Sequence, residues 1–286
     1  MVDMCGRFAV TTDPARLAVQ LDAVDETGPA GIRPPNYNVA PTTDIAAVVA
    51  RHDGADDHDD PRRAGAQRLG VNDPATRRIR LMRWGLLPAW AKPGPDGAPQ
   101  AKGPQLINAR AETVTTSPAY RSAARHKRCL IPMDGYYEWK PNAENPRRGR
   151  KTPYFFSRSD GAPLMVAGLW SVWRPGGQER SDSGMNRADG PRLLTCTVIT
   201  TEAVGEFATV HDRMPLTLAQ TEWDRWLDPD AAAPQDLLAA APDVAPIAMR
   251  EVSTLVNNVA NNGPELTEAV DLGNLTNDLF QPGEWG

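Results

Sequence analysis

Four short stretches place chemically useful polar side chains in tight, apolar or turn-rich surroundings. They are CGRF (5–8), LINARAET (106–113), MDGYYEWK (133–140) and TVHDRMP (209–215). Cys5 directly follows a second methionine, Met4. Initiation at Met4 and removal of that methionine would make Cys5 the first residue, with an α-amine and a thiol two carbons apart. Initiation at Met1 would leave its nitrogen an amide, which cannot form an imine. Glu138 lies among large or aromatic neighbours, and partial desolvation would raise its pKa toward that of a usable general acid. A surface glutamate on a half-buried strand is the competing reading. His211 titrates near neutrality and suits proton transfer, or it is a satisfied turn histidine. Asn108 and Arg110 alternate and would project to one side of a short strand, or else they make an Asx-turn or a sheet-edge pair.

These residues need a scaffold, and the sequence suggests one. The apolar runs DIAAVVA (44–50), RCLIPM (128–133), YFFS (154–157), LMVAGLWSVW (164–173) and LLTCTVIT (193–200) have strand-like length and composition, and turn residues bound them. Asp13 followed by Pro14 predicts a helix start running through ARLAVQL. A second helix is expected over Thr217–Leu227. Residues 53–65, 141–152 and 174–190 are rich in Pro, Gly, Asn and charge and are expected to be surface loops. The expected fold is a β-rich α+β domain with short flanking helices, followed by a loose tail after about residue 270.

The chain has 286 residues, enough for a substantial core. No apolar run approaches the roughly 20 residues needed to span a bilayer, so no membrane partner is expected. Three widely spaced cysteines argue against a disulfide framework and for a reducing, cytoplasmic setting. Cys129 and Cys196 sit in apolar runs and are expected to be inert core thiols. There is no cysteine or histidine spacing suited to a metal and no nucleotide-binding glycine loop, so neither metal nor cofactor is expected. The net charge of −5 hides an asymmetry: residues 205–286 carry 3 basic and 14 acidic side chains, against 28 and 22 in residues 1–204. A basic surface on the earlier part could collect phosphates, although any one cluster more often only solvates the surface.

Seven segments, in order, carry a resemblance: CGRFA, YNVAPT (37–42), RWGLLPAW (83–90), INARAET, DGYYEWK, HDRMP and NNVANNGPEL (257–266). Together they resemble the SOS-response-associated peptidase (SRAP) family, as one domain over 5–270 with a tail over 271–286. The resemblance implies a barrel-like antiparallel sheet core. It also implies a monomer that binds single-stranded DNA, or a junction of single and double strand, at an abasic site during the DNA damage response, associated with the nucleoid when bound. Its N-terminal cysteine would crosslink to the ring-opened sugar as a thiazolidine.

By resemblance Cys5 is the nucleophile, Glu138 the acid and base, and His211 a proton donor on the departing side, with Asn108 holding the N-terminal residue. Arg7 and Arg110 match phosphate-binding arginines. Asn38, Pro41, Trp84, Trp139 and Thr200 match groove-lining or stacking positions. The family pattern begins Met-Cys, so the functional start is expected at Met4, or residues 1–4 are expected to be removed. Two other readings remain open. One is a cysteine peptidase or N-terminal-nucleophile hydrolase using Cys5, Glu138 and His211. The other is a non-catalytic reader of modified cytosine.

Overall fold

The computed structural model describes residues 5–31, 33–52, 74–88, 90–94, 97–99, 105–141, 151–174 and 192–270. Thirteen strands occur among them. They are β1 (Arg7–Val10), β2 (Ala23–Asp25), β3 (Asn36–Val39), β4 (Asp44–Arg51), β5 (Thr76–Trp84), β6 (Asn108–Arg110), β7 (Arg128–Met133), β8 (Gly135–Lys140), β9 (Thr152–Arg158), β10 (Leu164–Trp173), β11 (Leu193–Glu202), β12 (Arg213–Pro215) and β13 (Ile247–Glu251). All five apolar runs expected to be strands are strands. Helix Pro14–Leu21 starts as expected, with the Asp13 carboxylate accepting from the Ala15 N–H at 2.7 Å. The helix expected over Thr217–Leu227 is shorter. A 3₁₀ turn occupies Gln220–Glu222 and an α-helix Trp223–Leu227, while Thr217 bridges to Val166 of β10. Ladder pairing takes the backbone that the expected helix would have used. Most of the three expected loops and the tail from 271 lie outside the described residues.

Strands β4, β7, β10 and β11 pair antiparallel in that order, and β5 pairs with both β4 and β11. The five strands close into a barrel, which leaves no free edge among them. Alternation sorts the side chains. Ile45, Ala47, Val49, Met82, Trp84, Cys129, Ile131, Val166, Trp170, Cys196 and Val198 share one buried cluster. Val48, Ile79, Leu130, Met165, Ala167, Leu169 and Ile199 belong to another, with Leu17, Leu21 and Trp226 of the flanking helices. Gly168 is required inside: a Cβ there would stand 2.9 Å from Cys129 Sγ, Ile131 Cδ1 and the Thr197 carbonyl.

A second sheet has the order β13-β9-β8-β1-β3. Its Phe8, Val39, Tyr136, Phe156 and Ile247 join the first cluster, and Phe8 meets the Trp84 ring edge-on at 4.9 Å. Only Asp134 separates β7 of the barrel from β8 of this sheet. Its carboxylate accepts from the Thr11 N–H at 2.6 Å, tying the corner to the end of β1. The β1 and β8 ends that carry Cys5 and Glu138 therefore rest on a rigid two-sheet frame.

Candidate active site

Strand β1 lies antiparallel to β8, with Arg7 opposite Tyr137 and Phe8 opposite Tyr136. Extending that register by one step brings Gly6 opposite Glu138 and Cys5 just beyond the strand. Cys5 has φ of +39°, a left-handed conformation that costs a non-glycine residue roughly 1 kcal/mol or more. In this conformation its backbone N–H donates to Glu138 Oε1 at 2.6 Å. Glu138 is 2% exposed, and burial pushes its pKa up to about 8 despite the hydrogen bonds from the Cys5 and Trp139 backbones. Burial also raises the Cys5 thiol pKa well above its ordinary value, with the Glu138 charge adding to the effect. The thiol is therefore protonated at neutral pH.

Lys151 acts on both sides of the site. Its charge draws the Glu138 pKa down and disfavours protonation of His211, while the Asp212 carboxylate opposes it at Glu138. His211 is half-buried, and burial lowers its pKa below 6.5, so the ring is neutral at pH 7. Its Nδ1 accepts from the Arg213 N–H at 3.0 Å and lies 3.0 Å from Asp212. Arg213 is anchored by the Glu112 carboxylate at 2.7 and 2.9 Å and by the Thr200 carbonyl at 2.7 Å. The site is thus joined to β6, because Asn108, Ala109 and Arg110 run parallel to Val198, Ile199 and Thr200 of β11. Asn108 is half-buried and follows Ile107, a member of the cluster that holds Cys5. Arg110 is exposed.

The structure divides the weaker candidates. Trp84 is fully buried and donates from Nε1 to the Ile107 carbonyl at 3.0 Å, which supports β6 from below. Thr200 is fully buried as well. Asn38 is buried, and its amide donates to the carbonyls of Asn258 and Asn261 at 3.0 Å each and of Val256 at 3.3 Å. Arg7 donates to Asn38 Oδ1 at 2.7 Å and to the Val256 carbonyl at 2.9 Å. These two side chains hold segment 256–261 against the β1–β3 edge. Pro41 is half-buried after β3. Trp139 is half-buried, and its Nε1 donates to Asn257 Oδ1 at 2.7 Å. It lines a depression of about 400 Å³ with Lys151, Thr254 and Asn257. A larger depression of about 470 Å³, between helix Pro14–Leu21 and the β9–β10 turn, contains none of the candidate residues.

Sequence reasoning assigns no role to two residues that the structure brings to the site. Lys151 falls in the stretch 141–152, expected only to be a surface loop. Tyr136 was detectable from period two, since it shares a strand face with Glu138. Among the described residues no cluster of metal-ligating side chains occurs, and no helix is long and apolar enough to cross a membrane.

The sequence model of the SOS response associated peptidase family matches residues 4–259. The chain belongs to the SRAP family. A relative from Bacillus subtilis (strain 168), abasic site processing protein YoaM, is 34% identical over 270 residues, covering 93% of this chain and 98% of the relative. Abasic site processing protein HMCES of Gallus gallus is 28% identical, covering 94% of this SRAP chain and 79% of its own. A solved structure of a Bacteroides thetaiotaomicron protein superposes with a TM-score of 0.67 at 19% identity, covering 93% of this chain and all of that one, and supports the fold alone. The match of the family begins at Met4, the residue before Cys5.

Proposed function

We propose that this SRAP protein processes abasic sites in DNA by forming a covalent crosslink through Cys5, and that the working form begins at Cys5. The observation that carries this is the 2.6 Å contact between the Cys5 nitrogen and a buried Glu138 with a pKa of about 8. An α-amine has a pKa of about 7.7–8.0. Once the Cys5 nitrogen is a free amine, the two groups share a proton at hydrogen-bond distance, and its transfer either way supplies the neutral amine and the protonated acid.

The ring-opened abasic sugar presents an aldehyde at C1′. The neutral amine of Cys5 attacks C1′ and forms a carbinolamine. Protonated Glu138 gives its proton to the carbinolamine hydroxyl, which leaves as water and yields the protonated imine. Glu138, now a carboxylate, takes the proton of the Cys5 thiol. The sulfur bonds to C1′ while the C=N electron pair returns to the nitrogen, which keeps its proton, and a five-membered thiazolidine closes. Both nucleophiles sit on one residue, so ring closure is intramolecular, an advantage of several kcal/mol. The protonated thiol favours this amine-first order over attack by a preformed thiolate, as a cysteine peptidase would require.

Exposed Arg110 and half-buried Lys151 supply positive charge for phosphates, and Trp139 beside Lys151 offers an aromatic surface for a base of single-stranded DNA. His211, neutral and close to Asp212, suits proton transfer on the departing side. Asn108 supports the N-terminal residue. The protein acts as a monomer in the cytoplasm, without a cofactor. The test mixes protein beginning at Cys5 with a single-stranded oligonucleotide bearing one abasic site. A denaturation-resistant adduct is expected, with a mass equal to protein plus oligonucleotide less one water. The Cys5→Ala variant and a chain that retains residues 1–4 should give none. An adduct of the same mass from the extended chain would overturn the mechanism.

A further inference from the structure

Tyr136 is 1% exposed, and its hydroxyl has no hydrogen-bond partner among the described residues. A buried hydroxyl left unpaired costs roughly 1–3 kcal/mol, so such a group calls for a reason. Its position supplies one. Tyr136 lies two residues before Glu138 on β8, on the same face, opposite Phe8 of β1 and Phe156 of β9. Its ring stacks on Phe156 with centroids 4.7 Å apart and planes 6° from parallel, which fixes where the oxygen points. That oxygen is within electrostatic reach of both the Cys5 thiol and the Glu138 carboxyl.

We propose that Tyr136 is a further catalytic residue of this site, whose phenol donates a hydrogen bond to the substrate oxygen on C1′ as the imine forms. The inference rests on the crosslinking reading above. In the product, C1′ bonds to the nitrogen and the sulfur of Cys5. Glu138 holds the nitrogen side, and the Tyr136 hydroxyl is within electrostatic reach of both that carboxyl and the sulfur. On this proposal the oxygen on C1′ is held between them. The phenol steadies the negative charge that builds on the aldehyde oxygen when the amine attacks. It then holds the resulting hydroxyl while Glu138 protonates it and water departs. Tyr136 keeps its own proton throughout, so it donates a hydrogen bond and no proton. Burial beside two acidic groups raises its pKa well above 10, which preserves the donor across the working pH range.

The experiment compares wild type and Tyr136→Phe, both beginning at Cys5, on a single-stranded oligonucleotide with one abasic site. Time courses at saturating protein are quenched with and without borohydride, which traps imine. Affinity is read on a tetrahydrofuran analogue that cannot open, and stability by thermal melting. The expected result is a rate about 10–100-fold lower, unchanged affinity, no accumulation of trapped imine, and a melting temperature equal to or above wild type. A wild-type rate in the variant overturns the tyrosine assignment while leaving the crosslinking reading intact. Accumulated imine overturns it too, because the hydroxyl would then act at ring closure. A slower rate with a lowered melting temperature makes the hydroxyl structural. Failure of wild type itself to form an adduct removes the crosslinking reading, and the tyrosine role with it.

Discussion

The Cys5 nitrogen and the Glu138 carboxylate, 133 residues apart in sequence, meet at 2.6 Å in a buried setting. The β1–β8 register creates this contact. Burial then sets its chemistry, because the same withdrawal from water that raises Glu138 keeps the Cys5 thiol protonated.

The raised pKa of Glu138 ties stability to pH. Its folded value, about 8, exceeds the unfolded value of 4.5. The folded chain therefore binds more protons between these limits, and the stability present below pH 4.5 is lost as pH rises through 8. The full loss is up to about 5 kcal/mol. Urea midpoints of the full-length chain should fall across this window, and Glu138→Gln should flatten the fall. Parallel curves for the two proteins would refute the raised value.

Burial dominates the shifts of Glu138 and His211, and the Lys151 charge adds a smaller lowering to both. Removing its charge with Lys151→Met should raise the pKa of both. The pH–rate profile of crosslinking should shift upward on both limbs, which single-turnover rates between pH 5 and 9 would reveal. An unchanged profile would place the lysine outside the reacting field.

Asn38 has a structural task. Asn38→Ala deletes three hydrogen bonds to the 256–261 carbonyls and leaves Arg7 with one fewer acceptor. The expected cost is about 2–4 kcal/mol. Amide exchange should quicken first in 254–262. A loss of DNA affinity with no change in melting temperature would contradict this task.

Arg110 is exposed on β6, and Glu112, which anchors Arg213, also lies within its electrostatic reach. Arg110→Ala should weaken binding to single-stranded DNA and reduce the slope of log affinity against log salt by about 0.7. Equal slopes for wild type and variant would remove it from the phosphate path.

The sequence alone determined the local features. Alternating or continuous apolar runs marked five strands, Asp13 and Pro14 marked a helix start, and apolar neighbours marked Cys129 and Cys196 as core thiols, because each signal lies within a few adjacent residues. Motif order marked Cys5, Asn108, Glu138 and His211. Tertiary structure decided the rest. Whether Glu138 is a surface carboxylate or a buried acid depends on β8 lying inside the sheet, between β1 and β9, with its face packed into the core. Asn38, Trp84 and Thr200 match groove positions in sequence, yet they are buried, and their hydrogen bonds join segments far apart in the chain. Lys151 gains its influence from lying within electrostatic reach of both Glu138 and His211. Burial and electrostatic field are sums over neighbours in space, and most of those neighbours are distant in sequence.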